Sequence, residues 1–391
     1  MKDFEPKKMK KIPLTGIRRV MEKAAKLESE GRNIVHFEVG LPDFDTPPHI
    51  VEAAKAGLDQ GMTRYGPNVG IPKLRQAIAK KLERDNGLIV DPMTEIMVTT
   101  GGQEAVACTI LSLLDTDDEV LLADPGYGPY NGLVRTANAV PVLIPVLEKD
   151  NFNFDIEAIE KAITPKTKML IFSNPGNPTG TVMDSAKMLK IARLAEKHDF
   201  LVVCDEAYEQ IVYDGIKLQS FATLPGMRER TVTIHSFSKS YAMCGWRVGY
   251  LAAPPELLRV ILRIHTNMVL APNTFVQAGA IAALEGPQDA LRYMVEKFDE
   301  RRKYMYQAFL DMGLPLNRPQ AAFYLFPNIA QFNMDSFAFA EYILEKHGVA
   351  FVPGMEFGPS GEGFVRISYA TSLDNCKEGA ERMAAALKEL S

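Results

Sequence analysis

The feature that most constrains the fold of this chain is an alternation of short apolar runs with amphipathic segments between residues 96 and 252. The runs are rich in Val, Ile and Leu and are mostly bounded by Gly, Pro or Asp, which is typical of buried strands. Helical patterns separate several of them, including Gln103–Leu114 and Ser185–Lys197, the second with Asp184 or Ser185 as a candidate N-cap. Apolar strands separated by helices predict an α/β fold with a mostly parallel central sheet covered by helices. The seven runs are Ile96–Thr99, Val120–Ala123, Val140–Pro145, Met169–Phe172, Leu201–Cys204, Thr231–Ile234 and Val248–Ala252.

The pattern changes after Ala271. Two long amphipathic segments, Gln288–Met312 and Phe337–His347, lie on either side of a strand candidate at Ala322–Phe326, and a second candidate follows at Phe364–Ser368. Long helices with a few short strands predict a smaller α+β unit at the C-terminal end of the chain.

The N-terminal segment does not extend the central sheet. It carries a helical pattern at Ile17–Glu30 and a strand candidate at Val35–Val39, and we assign it to the same unit as the C-terminal segment. A chain of 391 residues also exceeds what one hydrophobic core usually serves, which favours two domains. The predicted division is an N-terminal arm with part of the small domain at 1–44, a large domain at 45–280 and a small C-terminal domain at 281–391.

The composition excludes several classes of protein. With 47% hydrophobic and 24% charged residues the chain is an ordinary globular one, and its formal net charge of -5 provides no field to attract a nucleic acid. No stretch reaches about 18 apolar residues, so we expect a soluble protein without a membrane partner and without an export signal. Its four cysteines and six histidines show no metal-ligand spacing, which predicts reduced thiols, a cytoplasmic location and no metal site.

Polar clusters follow four of the apolar runs, at the point where each run ends. Ligands of open α/β sheets bind at the carboxyl ends of the strands, so these clusters are the candidate site. Taken singly, each also fits an ordinary structural role: a tight glycine turn, a surface turn, a solvated acid and a surface lysine. The first cluster opens a helix, whose free N–H groups suit a phosphate. The clusters are Thr100–Gln103, Ser173–Gly180, Asp205–Tyr208 and His235–Lys239, with Arg247 eight residues beyond the last.

Together with motifs elsewhere, these clusters resemble a known family. The motifs are Gly40–Pro47, Tyr65–Gly70, Asn174–Gly180, Asp205–Tyr208, Ser236–Lys239, Gly245–Gly249 and Val365–Tyr369. From about residue 14 to the C-terminus the chain is similar to the fold-type I, pyridoxal-phosphate-dependent aminotransferases of class I/II, especially the subgroup of prokaryotic aspartate, aromatic and alanine aminotransferases. The resemblance implies pyridoxal 5'-phosphate as cofactor. It also implies ping-pong transfer of an amino group from an L-amino acid to a 2-oxo acid, with 2-oxoglutarate the expected acceptor, through a Schiff base.

The resemblance implies roles for residues around the cofactor ring. Lys239 would form the Schiff base with the cofactor aldehyde and then act as a general base. Asp205 would face the pyridine nitrogen and keep the ring protonated, so that the ring can accept electrons from the α-carbon. Asn177 and Tyr208 would donate to the phenolic oxygen, and Tyr127 would stack on the ring. Lys239, Asp205 and Tyr208 are therefore the predicted catalytic residues.

The resemblance also implies how the phosphate is held. A homodimer follows from it, because Tyr65 of similar proteins reaches the phosphate in the neighbouring subunit's site, so that the two active sites are shared. The remaining phosphate-side residues combine helix N–H groups, hydroxyls and one guanidinium. They are Gly101, Gly102, Gln103, Ser236, Ser238 and Arg247.

The substrate side departs from the family in one informative place. Gly40, Asn177 and Arg366 are expected to bind the substrate, with Arg366 gripping its α-carboxylate in bidentate fashion. Aspartate-preferring relatives often carry a lysine after the Gly-Gly pair, where this chain has Gln103. An amide recognises a second carboxylate less strongly than a cation does, so neutral donors such as alanine, aromatic amino acids or methionine compete with aspartate.

Two further stretches bear on the substrate. The Gly-Ala-Phe-Tyr sequence usual near the small-domain strand reads Ala321-Ala322-Phe323-Tyr324 here, with no predicted consequence for specificity. The arm residues Thr15, Gly16 and Ile17 lie where similar proteins close over the substrate, and either a selective or a purely structural role fits them.

Other activities remain open from the sequence. The same cofactor and lysine serve carbon–sulfur lyases and cyclopropane-forming synthases on this fold, and a pyridoxal-phosphate-dependent carbon–sulfur lyase is the alternative activity. A transcription regulator built on such a body would need an additional helix-turn-helix segment, and only about 30 residues precede the first motif. A nicotinamide-dependent dehydrogenase is disfavoured, because no G-x-G-x-x-G follows the early strands.

Overall fold

The computed structural model of the chain describes residues 4–6, 9–12 and 16–390. Its strands are β1 (Val35–His36), β2 (Ile96–Thr99), β3 (Glu119–Asp124), β4 (Val140–Pro145), β5 (Thr167–Ser173), β6 (Leu201–Asp205), β7 (Thr231–Ser236), β8 (Gly249–Ala252), β9 (Tyr324–Leu325), β10 (Val349–Ala350), β11 (Val352–Pro353) and β12 (Val365–Ser368). Its α-helices are α1 (Gly16–Ser29), α2 (Pro48–Asp59), α3 (Pro72–Lys81), α4 (Gly102–Leu113), α5 (Pro129–Thr136), α6 (Ile156–Ala162), α7 (Ser185–His198), α8 (Phe237–Ser240), α9 (Pro255–Met268), α10 (Thr274–Glu285), α11 (Asp289–Asp311), α12 (Ser336–His347) and α13 (Leu373–Leu390). None of these helices combines the length and the apolar character needed to cross a bilayer.

Strands β2 to β8 form one sheet in the spatial order β2-β8-β7-β6-β5-β3-β4. Neighbouring strands are parallel except around β8, which runs antiparallel to both β2 and β7. The predicted α/β fold with a mostly parallel sheet is therefore confirmed. Strands β6 and β7 are neighbours, with Asp205 opposite Ile234, so the residues that end them lie side by side at one edge of the sheet.

The central strands are apolar throughout because both faces of the sheet are covered. Leu170 and Val202 pack on one face with residues of α6 and α7, whereas Ile171 and Val203 pack on the other with residues of α4 and α9. All four side chains are fully buried. Burial of each such side chain contributes about 1.5–3 kcal/mol to folding, so the sheet is the stable frame from which the loops at its edge extend.

The bounds of α7 follow from its caps. The Asp184 carboxylate accepts a hydrogen bond from the backbone N–H of Lys187 at 3.0 Å, so Asp184, and not Ser185, is the N-cap. The helix ends at Asp199, which adopts a left-handed conformation with φ of 53°. This capped helix brings the chain back to the start of β6, the strand that carries Asp205.

The N-terminal and C-terminal segments share a core. β1 pairs with β10 in parallel, β11, β12 and β9 form an antiparallel sheet, and Phe37 packs with Phe298 and Ile367. The strands are shorter than the sequence predicts: the candidate at 322–326 forms a strand only at Tyr324–Leu325, because Ala322 has a left-handed φ of 58° that interrupts the extended backbone.

One predicted domain limit falls inside a helix. Residue 280 lies within α10, where Val276 and Ala280 belong to the same apolar cluster as Ile50 of α2 and Ile78 of α3. Cutting the chain there would divide a packed core. We therefore propose that the large domain extends to the end of α10, Glu285.

Candidate active site

A cavity of about 310 Å³ opens at the carboxyl ends of β5, β6 and β7, next to residues from the C-terminal unit. Most of the predicted site residues line this cavity. Two of them do not: Gly101 lies just before the wall that Gly102 forms, and Tyr65 is a surface residue, 85% exposed. The predicted residues in the wall are Gly40, Gly102, Gln103, Tyr127, Asn177, Asp205, Tyr208, Ser236, Ser238, Lys239, Arg247 and Arg366.

Asp205 ends strand β6 with its carboxylate buried. The Tyr130 hydroxyl donates to Oδ2 at 2.8 Å, and the backbone N–H of Ala207 donates to Oδ1 at 3.1 Å. Burial raises the pKa of Asp205 above its ordinary value, and these two hydrogen bonds oppose the rise. Because both donors are neutral, the carboxylate can stabilise a cationic N–H group placed beside it in the cavity.

Lys239 is presented by α8, a single helical turn directly after β7. The Ser236 hydroxyl caps this turn by accepting from the backbone N–H of Ser238 at 3.1 Å. The half-buried Lys239 ammonium donates to the backbone oxygen of Gly40 at 2.6 Å, and Cys244 Sγ lies 3.8 Å from Nζ. The turn therefore directs two hydroxyls and one amine toward the same cavity.

A cradle for an anion surrounds the start of α4. Gly101 has a φ of 95°, and a Cβ at this position would collide with the Arg247 guanidinium, so the cradle requires glycine here. The first N–H groups of the helix have no partner within it, as at any helix start. Arg247 is fixed by donating to the backbone oxygens of Cys244 and Thr100 at 3.1 and 3.3 Å. Helix N–H groups, hydroxyls and a guanidinium converge, which is the donor set that phosphate prefers.

Arg366 places a buried guanidinium in the wall of the cavity. Its Nη1 and Nη2 donate to Asn177 Oδ1 at 3.2 Å and to the backbone oxygen of Glu38 at 2.6 Å. The guanidinium lies 4.5 Å from the centre of the Tyr324 ring. The Nε–H is buried, and no described residue accepts from it. A buried donor without an acceptor fits the carboxylate of a small substrate.

Two tyrosines keep their hydroxyl protons in this setting. The Tyr208 and Tyr324 hydroxyls lie 2.7 Å apart, and burial raises the pKa of Tyr208 well above its ordinary value. Burial likewise raises the pKa of Tyr127 to about 12, and its hydroxyl lies 3.4 Å from Gln103 Oε1. Both phenols are therefore neutral hydrogen-bond donors at neutral pH.

The sequence interpretation missed several residues of the cavity wall. Tyr130 was not selected, although it lies three residues after Tyr127 at the start of α5, and the two rings are in edge-to-face contact with their centroids 5.1 Å apart. Tyr324 was recognised only as part of a motif, without a role. Thr15 and the side chain of Ile17, two of the arm residues singled out from the sequence, lie outside the described residues. Ser173 and Ala207 were included only as members of two polar clusters, and the other wall residues that were missed altogether are Met21, Glu38, Val39 and Cys244.

One acidic cluster behind the cavity has the ligand types of a metal site. Glu206, Glu209 and His235 place oxygen and nitrogen atoms close together. The ammonium of Lys81, however, pairs directly with Glu209, and the Asn86 amide donates to both carboxylates. Lys81 thus provides the positive charge that these carboxylates need, which argues for an ion-pair network here.

Comparison with known proteins gives consistent matches along almost the whole chain. The sequence model of the family described as "Aminotransferase class I and II" matches residues 32–383. The chain is 40% identical over 375 residues to aromatic-amino-acid aminotransferase 2 of Thermococcus litoralis, covering 95% of each, and 41% identical over 360 residues to aspartate aminotransferase of Pyrococcus abyssi, covering 92% of each. The solved structure of Thermus thermophilus aspartate aminotransferase with maleate is similar with a TM-score of 0.93 at 37% identity, covering 99% of this chain and 100% of that one.

Proposed function

The chain belongs to the class I and II aminotransferases, which depend on pyridoxal phosphate, and on this premise we propose that the cavity at the sheet edge is its active site. The enzyme transfers an amino group between an L-amino acid and a 2-oxo acid. The relatives give no support to the lyase or the dehydrogenase. The observation that carries the assignment of the site is that Lys239, Asp205 and Arg366, from three separate motifs, line one cavity.

The residues present fit pyridoxal 5'-phosphate. Gly101 leaves room for the Arg247 guanidinium beside the start of α4, and the Asp205 carboxylate has only neutral donors. We assign the phosphate to the N-terminal turn of α4 with Ser236, Ser238 and Arg247, and the ring to Asp205 and its neighbours. When bound, the cofactor supplies an aldehyde that takes up amines and a ring that accepts the electron pair of the substrate's α-carbon.

The protein's own groups then bind, orient and move a proton. Arg366 binds the substrate α-carboxylate with its unpartnered Nε–H, next to Asn177. As a neutral amine, Lys239 Nζ would remove the proton from the substrate α-carbon and deliver it to the carbon that accepts the amino group, and the Gly40 carbonyl fixes the position of Nζ. The Asp205 carboxylate would stabilise a proton on the ring nitrogen of the cofactor. The Tyr208 hydroxyl would hydrogen-bond the phenolic oxygen of the cofactor, and Tyr127 would stack on its ring.

We propose that the enzyme is a homodimer in which Tyr65 acts in the neighbouring subunit's site. Its side chain is 85% exposed on the loop before α3 and does not reach the cavity of its own chain. This exposure leaves the Tyr65 side chain free to contact a second subunit, as the resemblance to the family implies. A holoenzyme that sediments as a single chain would contradict this assembly.

We also place the enzyme in the cytoplasm. Its four cysteines are unpaired, three of them buried and one, Cys244, in the wall of the cavity. Free thiols so distributed are typical of a reducing compartment. Localisation of the tagged protein to another compartment in its own cell would refute this placement.

We propose that neutral amino acids are the better donors. Three cations line the cavity, and Lys239, Arg247 and Arg366 all have assigned roles. The position expected to meet a second carboxylate holds Gln103, an exposed amide beside Tyr127. The names of the relatives include both aromatic and aspartate aminotransferases, so the donor range is the open part of the function.

A panel of amino donors with 2-oxoglutarate tests the reaction and the donor range together. We expect alanine, methionine and aromatic donors to exceed aspartate in kcat/KM for the native enzyme. Gln103→Lys should raise kcat/KM for aspartate about tenfold, because an ammonium pairs with the distal carboxylate where an amide only donates a neutral hydrogen bond. The rate of absorbance change of the cofactor with each donor measures this.

The matched control for this change is Gln103→Met, which has a similar length and no charge and should leave aspartate a poor donor. Preference of the native enzyme for aspartate would refute the proposed donor class while leaving the activity intact. Production of pyruvate and ammonia from cystathionine without any 2-oxo acid would instead favour the lyase.

Arg366→Lys tests the assigned carboxylate site. Lysine keeps the positive charge but loses the fork of parallel N–H groups, and it leaves Asn177 Oδ1 and the Glu38 carbonyl without these donors. We expect KM for the amino donor to rise by about 30-fold or more, with a smaller change in kcat. Steady-state kinetics with both substrates varied measure this change. An unchanged KM would show that the substrate α-carboxylate binds elsewhere.

A further inference from the structure

A buried ion pair lies outside the cavity, below the start of α4. His265 of α9 is fully buried, and its Nδ1 lies 2.6 Å from Oε1 of Glu104 in the first turn of α4. Cys108 Sγ donates to the same carboxylate oxygen at 3.4 Å. Glu104 and His265, called the Glu104–His265 pair below, have no part in the mechanism described above.

The contacts of His265 fix its protonation. Its second ring nitrogen, Nε2, lies 2.8 Å from the backbone oxygen of Asn68. A carbonyl and a carboxylate oxygen are both acceptors, so both ring nitrogens carry hydrogen and the side chain is an imidazolium. An imidazolium has no lone pair to offer a metal. Glu104, Cys108 and His265 therefore form a charged hydrogen-bond network, although they have the ligand types of a metal centre.

The Glu104–His265 pair connects two segments of the proposed site. On one side, Glu104 Oε2 accepts from the backbone N–H and the hydroxyl of Thr100 at 2.5 and 2.8 Å, and the Thr100 carbonyl accepts from Arg247. On the other side, His265 holds Asn68, which lies three residues after Tyr65 and also donates to Thr266. One buried charge pair thus joins the anion cradle to the loop that carries Tyr65.

We propose that Glu104 and His265 are positioning residues that hold the phosphate cradle of the cofactor and the Tyr65 loop in one arrangement. The inference rests on the proposed function. Removing either partner leaves an uncompensated buried charge, so Thr100 and Asn68 are expected to shift away from their present positions. Asp205 at the end of β6 and Tyr208 in the turn after it do not contact this pair and are expected to stay in place. Removing the pair should therefore weaken binding of the cofactor's phosphate more than binding of its ring.

The test compares the cofactor with its phosphate-free form, pyridoxal. Apoenzyme carrying His265→Gln, Glu104→Gln or both is titrated with each compound, and the dissociation constants are measured by absorbance and intrinsic fluorescence. We expect each single change to weaken binding of pyridoxal phosphate by about 10- to 100-fold, since a charge-assisted hydrogen bond is lost. Pyridoxal should bind within about twofold of wild type, and the double variant should be no weaker than the worse single one.

Cys108→Ala is the matched control, because it removes a contact to the same carboxylate but leaves the Glu104–His265 pair intact, and we expect unchanged affinity for both compounds. Circular dichroism checks the fold of each variant. If a single change prevents folding, the double variant, which removes both charges, carries the comparison. Equal weakening of both compounds, or no weakening of either, would overturn the positioning role. Wild-type protein that binds neither compound would instead contradict the proposed function.

Discussion

Lys239→Ala is expected to lower the rate of transamination by about 10⁴-fold or more while the protein still folds. Lys239 is the one amine among the residues that line the cavity, so no neighbouring group can replace it as nucleophile and base. Its ammonium hydrogen bond is to a backbone carbonyl, and the side chain is only half-buried, so its removal leaves no buried ion unpaired. The variant should therefore lose catalytic activity and keep its folding stability.

The measurement is single-turnover amino transfer, combined with borohydride reduction and peptide mapping of the native enzyme. The reduced cofactor should be found on Lys239 and be missing from the variant. Lys55→Ala is a suitable control, because Lys55 is an exposed lysine whose ion pair with Glu52 lies on the surface. A label on a different side chain, or a variant that keeps its activity, would end the assignment of the site.

Asp205→Asn is expected to reduce kcat/KM by about 10³-fold. The amide keeps the shape of the side chain but has no charge to stabilise a cationic N–H group in a buried setting. Asp205→Glu, which restores the charge at a displaced position, should be less impaired. Stopped-flow measurement of the first half-reaction separates this effect from a change in substrate binding, and equal rates for the native and Asn enzymes would refute the role.

The same carboxylate gives a pH dependence with a defined sign. Burial raises the pKa of Asp205, and a group whose pKa is raised loses its charge at a higher pH as the solution is acidified. In the cofactor-free protein, the pKa of the Asp205 carboxyl, followed by NMR titration, should therefore lie above that of an ordinary aspartate, and a cationic N–H group bound beside it should lower the pKa again. The Tyr130 hydrogen bond opposes the rise, so it favours the charged form on which the chemistry depends.

The sequence predicted those parts of the structure that depend on local pattern. Runs such as Leu201–Cys204 are continuously apolar because both faces of the sheet are covered, and the polar residue after each run lies at the edge where ligands bind. The antiparallel direction of β8 was not predicted, because apolar content does not encode strand direction. The Glu104–His265 pair joins residues 161 positions apart, and no spacing rule connects them.

Because helices cover both faces of the central sheet, the amino-donor specificity of this enzyme can evolve separately from its stability. Leu170 and Val203 carry the stability of the frame, whereas Gln103 is exposed at the first turn of α4. Exchanges at such an exposed position usually change stability by less than about 0.5 kcal/mol. Donor selectivity and folding stability therefore depend on different parts of the molecule. Natural variation at the exposed position can change the preferred donor without destabilising the fold.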